Sequence, residues 1–493
     1  MTPGRKRIAL GVFEMINPSN GMPTWTHPGG RGDDWDDLGY WIRLARTLDR
    51  AGFDFLFFAD TYGYPTIGGS LPVEVAAHGL QFPALDAMLA IPALATATER
   101  LGFVVTSPTT VEHPYATARR FASLDHYTRG RIGWNVVTGS SQSTTDGLFG
   151  VAASGTHDSR YDVADEFVDV CLQLWQGGWE DGAELRDRGA NVYADPARLH
   201  RTEHSGNAFR VSGQFAVAPS AQRTPVLFQA GTSARGRAFA ARNAEAVLIQ
   251  GQTIAQAGAH VADIRAQAVR HGRRPDDVKV ITGVTVTVAE NPAAAREKRA
   301  ELDACFAVRD AAVVFAGFTG LDLREVDPTT PLTALPPSDS GQTLVNRFVR
   351  PGEPVPTVGH VLDDFRRKAI RGFQVTGSPP EVADELTAIV TGSDVDGLML
   401  EPTFGGQECY EEFIELVQPL LRDRGLLGES SGPTTTGASG PTTTGASGPT
   451  TTGASGPTLR ERLSGRPGGR LAPTHPGSRF SVPGPAKIEE TSV

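Results

Sequence analysis

The sequence predicts an α/β protein closed into a (β/α)8 barrel, the TIM-barrel architecture, on three observations. Strand-like and helix-like segments alternate eight times between residues 7 and 424. The strand-like segments are short, apolar and unalternating, as parallel strands covered on both faces must be. Polar or small residues gather where those segments end. No Gly-rich dinucleotide fingerprint follows the first strand, which disfavours the runner-up, a doubly wound open sheet.

The elements follow in order. RIALGVFEM (7–15) is the first strand. Its start is basic, but Glu14 interrupts the apolar run and no small-residue cleavage site follows, so it is not read as a signal peptide. A helix runs from about Trp35 to Arg50, with Leu38, Trp41, Ile42, Ala45 and Leu48 on one face, and Gly52 stops it. FDFLFFAD (53–60) is the second strand, and a helix is expected over 83–98. LGFVVTSP (101–108) is the third strand, followed by a helix over 115–127, a tight turn at Gly130 and a fourth strand over 131–137. A helix over 160–176 leads into an irregular polar insertion, 177–223. TPVLFQAGT (224–232), AVLIQG (246–251) and DVKVITGVTVTVAE (277–290) are strands five to seven. Helices over 233–245, 254–271 and 292–304 follow them. The Pro-, Gly- and polar-rich span 305–376 has no assignment and reads as a second insertion. DGLMLEP (396–402) is the eighth strand, and 408–424 the last helix.

The barrel therefore occupies 1–428. Beyond it, GPTTTGAS repeats in tandem at 432–439, 440–447 and 448–455. This low-complexity segment (429–457) buries too little apolar surface to offset its ordering entropy and is expected to be a disordered spacer. Residues 458–493 read as a C-terminal arm and tail, with the Pro/Gly/Arg-rich stretch 465–493 expected to be mobile.

Composition narrows the function. The chain has 493 residues, 39% hydrophobic and 21% charged, with net charge −10 and no dominant basic patch, so nucleic acid is not expected as a partner. The longest apolar runs are too short to span a bilayer, so no membrane role is expected. Three widely spaced cysteines suit a reducing cytoplasm, and no cysteine–histidine cluster has metal-site spacing.

In a barrel, all strand carboxyl ends share one rim, where ligands bind. Strand two ends in Asp60, strand three in Thr106 and Ser107, strand four in Asn135, Thr138 and Ser140, and strand eight in Glu401. Strand five ends in Gly231, Thr232 and Ser233 directly before a helix, a pattern that suits either a phosphate site or a plain N-cap. His157 and Tyr161, at i and i+4, suit either phosphate contacts or an exposed helix start with the tyrosine ring packed on the barrel. No Ser-His-Asp or paired-carboxylate arrangement is visible, so no catalytic nucleophile is indicated.

The chain resembles the bacterial luciferase-like flavin-dependent monooxygenases, in particular the group with nitrilotriacetate monooxygenase component A, dibenzothiophene-sulfone monooxygenase and the pristinamycin synthase large subunit. The resemblance rests on TWTHP (24–28), FDFLFFAD (53–60), ATERLGFVVTSPTT with PYATARRFASLDHYTRGRIGWNVVTGS (97–140), HDSRYDVADEFVDVCLQLW (157–175) and PVLFQAGTSARGRAFAARNAEAV (225–247). It spans about 1 to 428 and resumes at TLRERL (458–463), which implies an arm docked on the body with the repeat looped out between. It implies an enzyme that takes reduced FMN (FMNH2) from a separate NAD(P)H-dependent flavin reductase. A flavin C4a-(hydro)peroxide then inserts one oxygen atom into a small organic substrate. The implied flavin contacts are Asp60 and Thr106 near the isoalloxazine and ribityl portion, His157, Tyr161 and Ser233 around the phosphate, and Asn135 alongside. A homodimer or homotetramer is expected. Thr26 stands where relatives carry Arg and Pro108 where they carry Ser, both on the expected substrate side. A deazaflavin-dependent dehydrogenase and a non-catalytic flavin-binding protein are the alternatives.

Overall fold

In the computed structural model, residues 7–19, 21–139, 147–150, 157–231, 233–336, 341–349, 354–428 and 456–482 are described. All eight expected strands form: β1 (Ala9–Glu14), β2 (Phe55–Phe58), β3 (Gly102–Pro108), β4 (Ile132–Val137), β5 (Val226–Gln229), β6 (Ala246–Ile249), β7 (Lys279–Val288) and β8 (Gly397–Glu401). Each pairs in parallel with the next, and β8 closes on β1. Phe55, Phe57, Val104, Phe228, Ile281 and Met399 fill the interior, while alternate residues such as Leu56, Val105 and Leu398 pack outward against the helices. Gly11 makes room inside, since a Cβ there would lie 2.2 Å from the Phe55 ring.

The helices are α1 (Leu38–Ala51), α2 (Pro114–Thr128), α3 (His157–Gly177), α4 (Ala234–Asn243), α5 (Ile254–Arg270) and α6 (Pro292–Ala304), close to their expected bounds. The Asp37 side chain caps α1 at Gly39 and Tyr40, and Gly52 ends it at φ 84°. The expected helix over 83–98 is shorter. It forms a 3₁₀ turn (Ala87–Leu89) and then a helix (Ile91–Thr96), because Pro92 lacks the N–H that an uninterrupted helix needs there. Before Pro419 the last helix widens into a π turn (Phe413–Val417).

Insertion 177–223 holds two antiparallel hairpins, Glu184–Asp187 with Val192–Ala194 and Arg201–Ser205 with Arg210–Gln214. The described part of insertion 305–376 is largely helical. Its helices α7 (Val308–Thr319) and α8 (Val358–Lys368) bury Phe315, Val361 and Phe365 in a second apolar cluster with Met22, Leu80 and Phe404. Met22 follows β1 and Phe404 follows β8, so this cluster roofs the carboxyl rim. A side strand (Phe373–Gly377) pairs with the far end of β7, and α9 (Pro379–Ser393) returns the chain to β8.

The expectation of a mobile stretch from 465 onward does not hold for 465–482. Arg466 pairs with Asp277 at 2.6 Å, and His475 is 1% exposed. The ion-pairing of an Arg-rich segment outweighs its low apolar content. Ahead of it, α10 (Leu459–Ser464) sends Leu459 into the interior cluster from the amino end of the barrel. The Gly130 turn receives this arm: Arg129 and Gly130 both have positive φ (54° and 82°), and the Gly130 carbonyl accepts from Leu459 N–H at 2.9 Å. The repeat (429–455) and 483–493 lie outside the described residues.

Candidate functional site

The site is built on the carboxyl ends of β2 to β5. Thr106 and Asn135 are register partners across β3 and β4, with side chains turned into the barrel. The Thr106 hydroxyl donates to the Phe58 carbonyl at 2.9 Å and accepts from Asn135 Nδ2 at 2.9 Å. The other Asn135 amide atom, Oδ1, is buried and has no partner among the described residues. Such an acceptor costs about 1–3 kcal/mol unless a ligand or water satisfies it. Asp60, two residues past β2, accepts from Tyr62 N–H at 3.0 Å. Burial, and then the nearby Asp86 charge, push its carboxyl up to about 6.

A second cluster adjoins this wall. Tyr161, on the first turn of α3, is 6% exposed and packs on Phe239 of α4. Its hydroxyl hydrogen-bonds to Ser233 and to Thr138, just past β4; burial nonetheless raises its pKa. Ser233 is the N-cap of α4, accepting from Gly236 N–H at 3.0 Å. Arg235 reaches back from α4 to Asp162 and Asp165 on α3 and lies 5.5 Å over the Tyr161 ring, which fixes the two helices together. A Cβ at Gly236 would lie 2.8 Å from Tyr161 Oη and 2.9 Å from Ser233 Oγ. Glycine thus keeps the start of α4 open, with backbone N–H groups beside two hydroxyls. That donor set suits a phosphate. Both sequence readings of Ser233 therefore hold: it caps the helix and it borders the cradle.

The structure brings Asp60, Thr106, Asn135, Tyr161 and Ser233 onto one arc of the rim. His157 opens α3, but its side chain lies outside the description, as do Ser140 and Thr232. Trp134 is fully buried between Phe121, Phe167 and Trp175 and is packing.

Sequence reasoning missed much of the opposite arc. Glu401 and Thr285 are register partners on β8 and β7. The Glu401 carboxylate accepts from Gln250 Nε2 at 2.9 Å, Thr285 Oγ at 3.3 Å and Gly372 N–H at 3.2 Å. Burial pushes its pKa up, while the charge of Arg371 opposes that. Gln229 ends β5 and Gln250 directly follows β6, and each carries a buried amide oxygen without a partner among the described residues. The paired strings VLFQ and VLIQ carried that signal. Among the described residues no group of three His, Cys, Asp or Glu side chains could hold a metal, and no helix is long and apolar enough to cross a membrane.

Known proteins resemble this chain in sequence and fold. The chain is 36% identical over 425 residues to long-chain alkane monooxygenase of Geobacillus thermodenitrificans (strain NG80-2), covering 85% of this chain and 91% of that protein. It is 36% identical over 481 residues to dimethyl-sulfide monooxygenase of Hyphomicrobium sulfonivorans, covering 97% and 94%. The crystal structure of a riboflavin lyase with modified FMN and its substrate riboflavin superposes with a TM-score of 0.87 at 38% identity, covering 97% of this chain and 100% of that one. The luciferase-like monooxygenase family model matches residues 16–397. This chain belongs to the luciferase-like family of flavin-dependent monooxygenases.

Proposed function

We propose that this chain is an FMNH2-dependent monooxygenase, supplied with reduced FMN by a separate NAD(P)H-dependent flavin reductase and acting on a small organic substrate. The observation that carries the reading is the junction of a phosphate-type cradle at the start of α4 with the Thr106–Asn135 wall, linked through the Tyr161–Thr138 hydrogen bond. The residues fit a flavin mononucleotide: the cradle offers donors to a dianion, and Asn135 offers an unfilled acceptor to an N–H or hydroxyl. When bound, reduced FMN supplies the activation of O2 that lets one oxygen atom enter the substrate.

The protein's part is to bind, orient and shield. Tyr161 and Ser233 would hold the phosphate end. Thr106 and Asn135 orient the ring and ribityl portion. Asp60, whose carboxyl burial pushes up to about 6, is the group on this arc that would hold a proton when the flavin is bound. The α7–α8 roof keeps water from the rim.

The test is a coupled assay with FMN, NAD(P)H, a flavin reductase and 18O2 over a substrate panel. The expected result is reductase-dependent product carrying one 18O atom. Tight FMN binding with no oxygenation of any substrate points instead to a flavin-binding protein. Turnover with deazaflavin and no O2 uptake points to the dehydrogenase. The panel spans long-chain alkanes and organic sulfides, the substrates named for two relatives. One comparison favours a second reading of the substrate, riboflavin itself, because the riboflavin lyase matches nearly the whole chain at 38% identity. Formation of a cleaved flavin product decides between them.

A further inference from the structure

The far end of the barrel holds a cavity of about 400 Å3 that the rim chemistry does not use. Lys279 and Val226 open β7 and β5, and both line it, so it lies beneath the amino ends of the strands. The C-terminal arm forms its other wall. Its size falls in the range of small-molecule sites, roughly 300–1,000 Å3.

Its charge is unbalanced. Among the described residues, Arg273, Arg274, Lys279, Arg460, Arg466 and Arg470 line it with three carboxylates, Glu245, Asp276 and Asp277. Glu245 is taken by Arg460 at 2.6 Å. Asp277 is shared between Arg274 at 3.1 Å and Arg466 at 2.6 Å, and Asp276 also faces Arg466, at 3.3 Å. Arg470 turns outward to Asp181 at 2.8 Å. Arg273 is 3% exposed and donates only to carbonyls, those of Ala241 at 2.9 Å, Arg242 at 3.4 Å, Ala244 at 2.7 Å and Asp277 at 3.1 Å. Its Nε–H is buried with no partner among the described residues. His475 adds no charge. Its Nε2–H donates to the Asn243 carbonyl at 2.8 Å, and Nδ1 accepts from Gly477 N–H at 3.0 Å. The remaining wall is apolar, from Val226, Leu463 and Leu471.

We propose that this chamber is a second ligand site, for a small organic oxyanion: a compact apolar body carrying one phosphate or carboxylate group. The oxyanion fills the positive excess around Arg273 and Arg274, and the body lies against Leu463 and Leu471. The site is distinct from the flavin rim because the length of the barrel separates the two.

The test is titration calorimetry on the full-length protein saturated with FMN. Phenyl phosphate, benzoate, phenol and inorganic phosphate serve as probes. At least one of the two aromatic anions should bind saturably at one site per chain, at least tenfold more tightly than phenol or inorganic phosphate. The tighter of the two identifies the head group. Binding should slow amide exchange over residues 459–475. Arg274→Glu removes a cation at a largely solvated position, and Ala472→Phe fills the chamber. Each should weaken the anion at least tenfold and leave FMN affinity unchanged. No saturable binding, equal binding of phenol, displacement by excess FMN, or full affinity in both folded variants would overturn the proposal.

Discussion

The two mouths of the barrel use polar residues in opposite ways. At the amino mouth, Arg460 is 4% exposed. It donates to the carbonyls of Gln222, Thr224, Pro225 and Gly469 while pairing with Glu245. At the carboxyl mouth, the buried amide oxygens of Asn135, Gln229 and Gln250 have no partner among the described residues. Saturated polar groups close a structure, and unsaturated ones mark where a ligand completes it. The difference teaches that this fold invests stability below and leaves recognition chemistry open above. Arg273 Nε, Gln418 Oε1 and Arg422 Nε, without partners among the described residues, are departures at the lower mouth, and Arg273 borders a cavity.

The largest expected effect breaks the closed mouth. Arg460→Ala leaves Glu245 buried without its cation, and unfolding free energy should fall by about 3–5 kcal/mol in denaturant titrations. FMN affinity of the protein that remains folded should hold. A loss below 1 kcal/mol would show that the arm does not seal the barrel. Leu459→Ala opens a hole at the same mouth and should cost about 3.5 kcal/mol, the middle of the range for a buried leucine.

The mouths should also respond oppositely to pH. Burial, and then the charge of Arg273, push the His475 pKa down to about 4 from an ordinary 6.5. The folded state therefore disfavours its protonation. About 3 kcal/mol is lost as pH falls from 6.5 through 4, and none above. Asp60 has the reverse sign, because its folded carboxyl is raised from 3.8 to about 6. Its contribution is intact below pH 4 and about 3 kcal/mol is lost as pH rises through 6. Stability profiles of His475→Gln and Asp60→Asn, each subtracted from wild type, should slope in opposite directions. Parallel or flat differences would refute the contrast.

The smallest effect belongs to the open mouth. Ser233→Ala with Tyr161→Phe removes two hydroxyls from the cradle and should weaken FMN binding by about 0.5–3 kcal/mol per group, and loss of the Ser233 cap should itself cost about 0.5–2 kcal/mol of stability. Fluorescence titration with FMN measures it. Unchanged affinity would move the phosphate away from α4.

The strands and most helices were legible because each is a local pattern. Apolar runs such as FLFF and IGWNVV specify buried parallel strands wherever they sit. The rim residues Asp60, Thr106, Asn135 and Ser233 were legible because a barrel places every strand end on one face. The α7–α8 roof was not, since Pro- and Gly-rich connections broke the period and its apolar partners, Met22 and Phe404, come from distant parts of the chain. Residues 465–482 were misread because composition registers apolar content and not the carboxylates that Arg466 and Arg479 find at Asp277 and Asp169.

The sequence by itself determined the barrel, the polar rim and the helix start that makes the cradle, because hydrophobic period and capping chemistry act within a few residues. Only the tertiary structure decided which polar groups would be left over. Thr106 takes the Nδ2 end of the Asn135 amide while Oδ1 has no partner among the described residues, and Glu401 is tied down by Gln250, Thr285 and Gly372. The charge excess around Arg273 likewise exists only once the arm folds beneath the barrel. Hydrogen-bond saturation and charge balance are sums over neighbours, and a chain has those neighbours only after it has folded.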